Sequence, residues 1–102
     1  MHYLLFYEKV TDYAERQTPT LQEAHLAHLL TAVRSGALLL GGVLDSPRDG
    51  TALLLFRSDS ARPVESFAET DPYVLAGVVF RWHVRGWDTV VGPTAERPRP
   101  HS

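Results

Sequence analysis

An imidazole set against a carboxylate is a simple side-chain pair for moving protons, and this chain offers one across a long loop of sequence, His25 and Asp71. The carboxylate orients the ring and fixes its tautomer, so that the other ring nitrogen can act as acid or base. Asp71 lies in Thr70-Asp71-Pro72-Tyr73-Val74-Leu75-Ala76-Gly77, behind a helical run in which Val64, Phe67 and Ala68 share one face. It falls at the next step of that i, i+3, i+4, i+7 series, on the apolar side, where a carboxylate must be hydrogen-bonded or paired. Pro72 disfavours the helical region for Asp71, so the chain should leave the helix there. A carboxylate at a helix C-terminus also opposes the macrodipole. Two readings explain an aspartate placed against local physics: it bonds to nearby backbone amides in a loop, or it is aimed into a pocket.

His25 and His28 sit on a helical stretch whose apolar stripe is Leu26, Leu29, Leu30 and Val33. At roughly 100° per residue, His25 lies about 40° from Leu29 and flanks the stripe, whereas His28 lies about 100° away and should be more exposed. His25 can keep one ring nitrogen inside while the other reaches a cleft, or it can be a half-buried histidine that merely packs. Histidines at i and i+3 can chelate, but no third ligand follows at a telling spacing, and the pair is not His-Glu-x-x-His; no metal is expected. With no cysteine, no glycine-rich phosphate loop and no Gly-x-Ser-x-Gly elbow, proton transfer is favoured over acyl transfer, and no organic cofactor is indicated. Arg81, His83 and Arg85 share one strand face, either as an anion site or as a solvated or interfacial row. Tyr3, Tyr7, Trp82 and Trp87 are most simply core or dimer contacts.

These residues need elements to carry them. His2–Tyr7 reads as a central strand, apolar on both faces, and Glu8–Gln17 as a loop. The first helix begins either at the capping box Thr20-Leu21-Gln22-Glu23 or at Thr18-Pro19, and Gly36 stops it. Ala37–Leu44 is a strand whose Gly41-Gly42 pair suggests a bulge or a close approach by a ligand or another backbone. The turn-rich segment 45–50 returns the chain into a third strand, Thr51–Phe56. A second helix follows over Ala61–Thr70. Val78–Trp87 alternates Val78, Phe80, Trp82 and Val84 with Val79, Arg81, His83 and Arg85, a fourth strand with one polar face, and Asp88–Val91 could add a short last one. The order β-α-β-β-α-β is the α+β, ferredoxin-like arrangement, with both helices on one face of a four-stranded antiparallel sheet. The uncovered face would still be apolar, which points to a symmetric homodimer packed sheet to sheet.

At 102 residues, 44% hydrophobic and 22% charged, the chain fits one globular domain, taken as 1–92 with a disordered tail over 93–102. A formal charge of −2 argues against nucleic acid or an anionic membrane as the main partner. The apolar start is too short for a span or a signal peptide and nothing calls for an oxidising compartment, so a cytoplasmic protein is expected.

Several fragments in order resemble the YciI-like family: Arg16, Ala24-His25-Leu26-Ala27, Leu38-Leu39-Leu40-Gly41-Gly42, and Asp71-Pro72-Tyr73 followed by Ala76-Gly77. They span Met1 to about Gly92. The resemblance implies the dimeric α/β-barrel form of the ferredoxin-like fold and a histidine–aspartate active site, His25 and Asp71 here. Arg16, Gly42, Tyr73 and Gly77 among the matching positions, with His28 beside the helical fragment, are expected on the substrate side. Most members have no assigned reaction, and a dehydrochlorinase of a chlorinated hydroxyquinol is a characterised relative. Gln22 stands where an arginine is common, and Gly42-Val43 replaces the usual Gly-Pro, which leaves the substrate open.

The expected activity is general acid/base chemistry on a small polar substrate, such as a hydroxylated or carbonyl-bearing ring losing a proton or a halide. A non-catalytic ligand-binding module and a protein of mainly assembly function stand beside it. One obstacle is geometric. With aligned helices, His25 and Asp71 are offset by about 10 Å along the axis, so contact requires a slipped or crossed second helix, or a turn back through the Pro72 bend.

Overall fold

The computed structural model describes residues 1–98. Its elements run β1 (His2–Lys9), α1 (Tyr13–Arg16), α2 (Pro19–Arg34), β2 (Leu38–Val43), β3 (Ala52–Arg57), α3 (Arg62–Thr70), α4 (Pro72–Leu75) and β4 (Val79–Trp87). The four strands form one antiparallel sheet in the order β2-β3-β1-β4. This is the ferredoxin-like α+β topology expected from the element order, with two one-turn helices added at the ends of loops. No helix among the described residues is long and apolar enough to cross a membrane.

β1 is central because both its faces are apolar. Leu5 and Tyr7 point into the core beside Ala52 and Leu54 of β3, and Val64, Phe67 and Ala68 of α3 complete the buried cluster. Leu4 and Phe6 lie on the opposite face with Leu53 and Leu55, all half-buried. The hairpin turn is tied back to α1 at Gly50. With φ +88° and a built Cβ only 2.7 Å from the Tyr13 ring, that position admits glycine alone without rearrangement.

Between the two possible starts of α2, Thr18-Pro19 prevails. Pro19 occupies the first turn with its preset φ, and the Thr18 hydroxyl accepts the Leu21 amide at 3.3 Å. The expected buried stripe is buried only in part: Leu29 packs half-buried against the core, with Leu21 and Ala32 beside it, while Leu26, Leu30 and Val33 are exposed. Leu26 is 53% exposed and Val33 49%, and no residue of α2 is fully buried. The helix packs on α4 and β2 rather than across the centre of the sheet, so its apolar side overhangs a groove.

β4 also departs from simple alternation. A register shift opposite Glu8 and Lys9 sets Val79 against Lys9 but Arg81 against Glu8. Val78 and Val79 are therefore both buried, and Phe80 is 58% exposed. Beyond the shift, Trp82 and Val84 pair with inward Tyr7 and Leu5, while Arg81, His83 and Arg85 fall on the open face. β2 carries a second irregularity between Leu38 and Leu40.

Asp88–Val91 adds no strand. Thr89 instead meets buried His2, its hydroxyl 2.7 Å from Nδ1, and accepts the amides of Glu96 and Arg97 through its side chain and carbonyl. Glu96 accepts from Arg57, and Arg97 pairs with Asp88. Part of the segment assigned to a disordered tail is thus hydrogen-bonded as far as Arg97, and the remainder of that assignment, residues 99–102, lies outside the described residues.

The bulge makes a sharp distinction between neighbours. Val79→Asp should lower unfolding free energy by roughly 3 kcal/mol or more, because an unpaired carboxylate enters the core. Phe80→Asp should stay within about 0.5 kcal/mol. Urea denaturation of the two variants reads the difference directly.

Candidate functional site

Asp71 leaves α3 with extended backbone angles, φ −68° and ψ 127°, as a residue before proline should. Pro72 then opens α4, and Asp71 becomes that helix's N-cap, its Oδ1 accepting the Tyr73 amide at 2.9 Å. The expected conflict with the α3 macrodipole is relieved by this turn. The same turn closes the axial offset, because the carboxylate swings back toward α2 and meets His25 Nδ1 at 2.8 Å. Of the two readings of the aspartate, the bond to a nearby backbone amide holds, whereas the carboxylate is not aimed into a pocket: it is fully buried, lines no cavity among the described residues, and meets one only through His25.

The second oxygen is used as well. Tyr7, reaching in from β1, donates its hydroxyl to Asp71 Oδ2 at 2.7 Å. Asp71 is completely buried and its partners are all donors, so the carboxylate is the ionised acceptor they require. Burial alone would push its pKa up; the bonds from His25, the Tyr73 amide and Tyr7 outweigh this and hold it below the ordinary carboxylate range. Tyr7 moves the other way, raised first by burial and then by the charge and hydrogen bond of Asp71, and remains a donor.

This donor arrangement sets the histidine. Nδ1 must carry the proton that Asp71 accepts, which leaves Nε2 of the neutral ring with its lone pair available. The Tyr73 ring stacks on His25 with centroids 3.8 Å apart and 9° between planes, locking the imidazole plane. His25 remains 17% exposed and reaches a cavity of about 450 Å³ between α2 and β2. Lys9 lines the same cavity, with its Nζ 5.9 Å from the Tyr73 ring centroid and 5.5 Å from that of Tyr13. Burial lowers the Lys9 pKa, and the charge of Asp71 works against that shift.

The sequence-derived site residues divide into groups. His25, Asp71 and Tyr73 come together, and Gly42 lies on the cavity wall. His28 turns toward α3, its Nε2 2.8 Å from the Phe67 carbonyl and its ring stacked on Phe67, and it does not line the cavity. Arg16 is exposed on α1 and bonds Asp12 at 2.9 Å. Gly77 ends α4 with φ +79° and is likewise not on the cavity wall. Arg81 is engaged by Glu8, and His83 stacks on Phe6 across the sheet from the cavity. Among the described residues no group of three histidine, aspartate or glutamate side chains is placed to hold a metal.

No family model matches the sequence, and no curated protein sequence matches it. Solved structures do resemble the fold. The 5-chloro-2-hydroxyhydroquinone dehydrochlorinase of Burkholderia phenoliruptrix AC1100, in complex with 2,5-dihydroxybenzoquinone, superposes with a TM-score of 0.71 at 23% identity, covering 87% of this chain and 95% of that one. A NIPSNAP family protein from Agrobacterium tumefaciens gives a TM-score of 0.60 at 16% identity, over 91% and 96% of the two chains. A second Agrobacterium tumefaciens protein gives 0.58 at 7% identity, over 94% and 98%. The likeness is one of fold.

Two cavity residues, Tyr7 and Lys9, were not singled out from the sequence as functional. The signal was present in β1: Leu5, Tyr7 and Lys9 share a strand face, and a buried tyrosine hydroxyl needs a polar partner. Nothing local says that the partner lies 64 residues on.

Tyr7→Phe removes a hydrogen bond to a buried charge and should cost roughly 1.5–3 kcal/mol of stability at neutral pH. Because Asp71's folded pKa is depressed, the unfolded chain binds its proton first on acidification, so the carboxylate's contribution is full above the unfolded value of about 3.9 and fades as pH falls through the folded one. The gap between wild type and Tyr7→Phe should therefore be constant from neutrality to about pH 5 and narrow toward about pH 2, as measured by urea unfolding across that range.

Proposed function

We propose that this chain is a YciI-like enzyme that transfers protons without a cofactor, with His25 as general base and Asp71 as the group that orients it. The observation that carries the reading is the 2.8 Å contact of His25 Nδ1 with a fully buried carboxylate, at the edge of a cavity the ring also reaches. Nε2 takes a proton from substrate carbon or oxygen, and the imidazolium so formed is balanced by Asp71. The proton then returns at another position, an isomerisation, or a leaving group such as halide departs, an elimination. Tyr73 holds the ring plane by stacking, and Gly42 belongs to the wall facing the substrate. Arg16, His28 and Gly77 do not line the cavity, and no substrate contact is proposed for them.

The similarity in fold to a dehydrochlorinase solved with a dihydroxybenzoquinone supports a small oxygenated organic substrate. A purely ligand-binding module built on Arg81 or His83 is less well supported, since neither lines the cavity that His25 reaches. All the groups invoked lie within the unit 1–92. The test is solvent-deuterium exchange, followed by NMR, on a panel of enolisable carbonyl compounds and halogenated hydroxyquinols. His25→Ala should lose about 10²–10⁴-fold in rate while keeping its circular dichroism spectrum, and added imidazole should restore part of the rate. Retention of the wild-type rate in His25→Ala would refute the assignment.

We further propose that two copies pair through the open sheet face, where Leu4, Phe6, Leu53 and Leu55 stand with Leu40, itself 70% exposed. A two-fold pairing lets one apolar patch cover itself. Sedimentation should give a dimer for the wild type and a folded monomer for Leu53→Glu; a monomeric wild type rejects the pairing.

A further inference from the structure

We infer that the ligand of this site is an amphipathic monoanion, with a carboxylate, enolate or phenolate oxygen on the Lys9 ammonium and an aliphatic or aryl body laid along the groove between α2 and β2. The inference rests on the acid–base reading of His25 and refines its substrate, which the sequence suggests only as small and polar.

The groove itself is the first argument. Its α2 wall includes Leu26, Leu30 and Val33, and its β2 wall Leu39 and Val43. All five are exposed large hydrophobics, an apolar surface that the described residues leave unfilled. The cavity volume of about 450 Å³ falls in the range of ligand sites that bury a drug-sized molecule, and such sites combine an apolar wall with few, convergent polar groups. A ring bearing only hydroxyls would meet no donors along this wall and would lose its hydration there.

The second argument is where the polar groups lie. Among the described residues, Tyr7, Lys9 and His25 are the only side chains with polar atoms on the cavity wall, and they converge at one place. Tyr7 and His25 bond the two oxygens of the same carboxylate, and Lys9 stands over the ring that stacks on His25. The Tyr7 hydroxyl is committed to Asp71, so His25 Nε2 and the Lys9 ammonium are what this end offers a ligand. Among the described residues Lys9 makes no ion pair, and its nearest recorded partners are the faces of Tyr13 and Tyr73. A half-buried cation flanked by rings, beside a base and at the head of an apolar trough, is complementary to an oxyanion with a hydrophobic body.

The chemistry is consistent with this placement. When the substrate C–H bond breaks, its proton passes to His25 Nε2 and the electron pair moves onto the adjacent carbonyl oxygen. In an enolisable carbonyl compound that oxygen meets Lys9 uncharged and becomes the enolate oxyanion as the bond breaks, so a fixed cation there stabilises the transition state more than the ground state; a carboxylate binds there as a stable mimic of that oxyanion and is not itself deprotonated. No further reactant is required.

Isothermal titration with straight-chain carboxylates from butanoate to decanoate, and with the corresponding primary amides, tests the inference without relying on turnover. Each added methylene should tighten Kd by about two- to fourfold until the groove is filled. The carboxylates should bind about tenfold or more tightly than the amides, a preference lost in Lys9→Met and retained in Lys9→Arg. Val33→Glu, on the outer part of the groove and half exposed, should flatten the chain-length dependence while leaving the shortest acid unaffected. A Kd that does not vary with length, or a carboxylate preference that survives Lys9→Met, overturns the inference. Proton exchange catalysed on short polar compounds with no length dependence would reject this ligand class and leave the role of His25 intact. Length-dependent binding with no exchange by any substrate would do the reverse.

Discussion

A fully buried carboxylate must be surrounded by donors, and in this fold most of what is local to the site follows from meeting that demand at Asp71. An isolated ionised carboxylate in a protein interior is costlier than any single hydrogen bond can offset. Three donors from three separate parts of the chain converge on it: the Tyr7 hydroxyl from the central strand, the His25 ring from α2 and the Tyr73 amide from α4. Because removing any one leaves charge uncompensated, the carboxylate couples the central strand, α2 and α4 at one point.

The consequences spread along α2. The helix is fastened through His25 to Asp71 and, one turn later, through His28 to the Phe67 carbonyl, with each histidine also stacked on an aromatic ring of the facing element. Two polar anchors and two ring stacks supplement a narrow apolar contact through Leu21, Leu29 and Ala32, in place of the wider buried stripe that usually seats a helix on a sheet. Freed from that duty, Leu26, Leu30 and Val33 form the wall of a groove. The apolar lining of the cavity and the polar contacts at its end are therefore two results of one packing arrangement.

The architecture was legible in the sequence wherever local rules and the global fold agree. The double-sided apolar β1, the turn chemistry before Thr51 and the proline after Asp71 each specify one outcome. Asp71 and His25 stood out for the same reason in reverse, as polar residues against an apolar pattern. What escaped depended on neighbours far away in sequence. The bulge that buries Val79 and exposes Phe80 is set by pairing with Glu8 and Lys9, and strict alternation cannot reveal it. The exposure of the α2 stripe depends on where α4 sits, and a one-turn helix such as Pro72–Leu75 leaves no periodicity to detect. Tyr7 was visible as an inward tyrosine, but the carboxylate that turns it from a packing residue into a site residue lies on another element.

The remaining link is β2, an edge strand of the sheet. Leu40, Gly41, Gly42 and Val43 line the groove under α2 and also a second apolar hollow on the open sheet face, formed with Leu4, Leu53, Leu55 and Trp87. One thin strand thus separates the site from the face on which association is proposed. Its two adjacent glycines have room around them: a Cβ at Gly42 would meet nothing within 4 Å, and at Gly41 only ordinary contacts with Leu53 and Leu54. Glycine in a strand gives up packing and conformational restriction, and here that loss falls on the segment shared by both surfaces. Material packed on the open face would therefore bear directly on the far wall of the groove, while the His25–Asp71–Tyr7 end, held by buried hydrogen bonds to the central strand, would stay where it is.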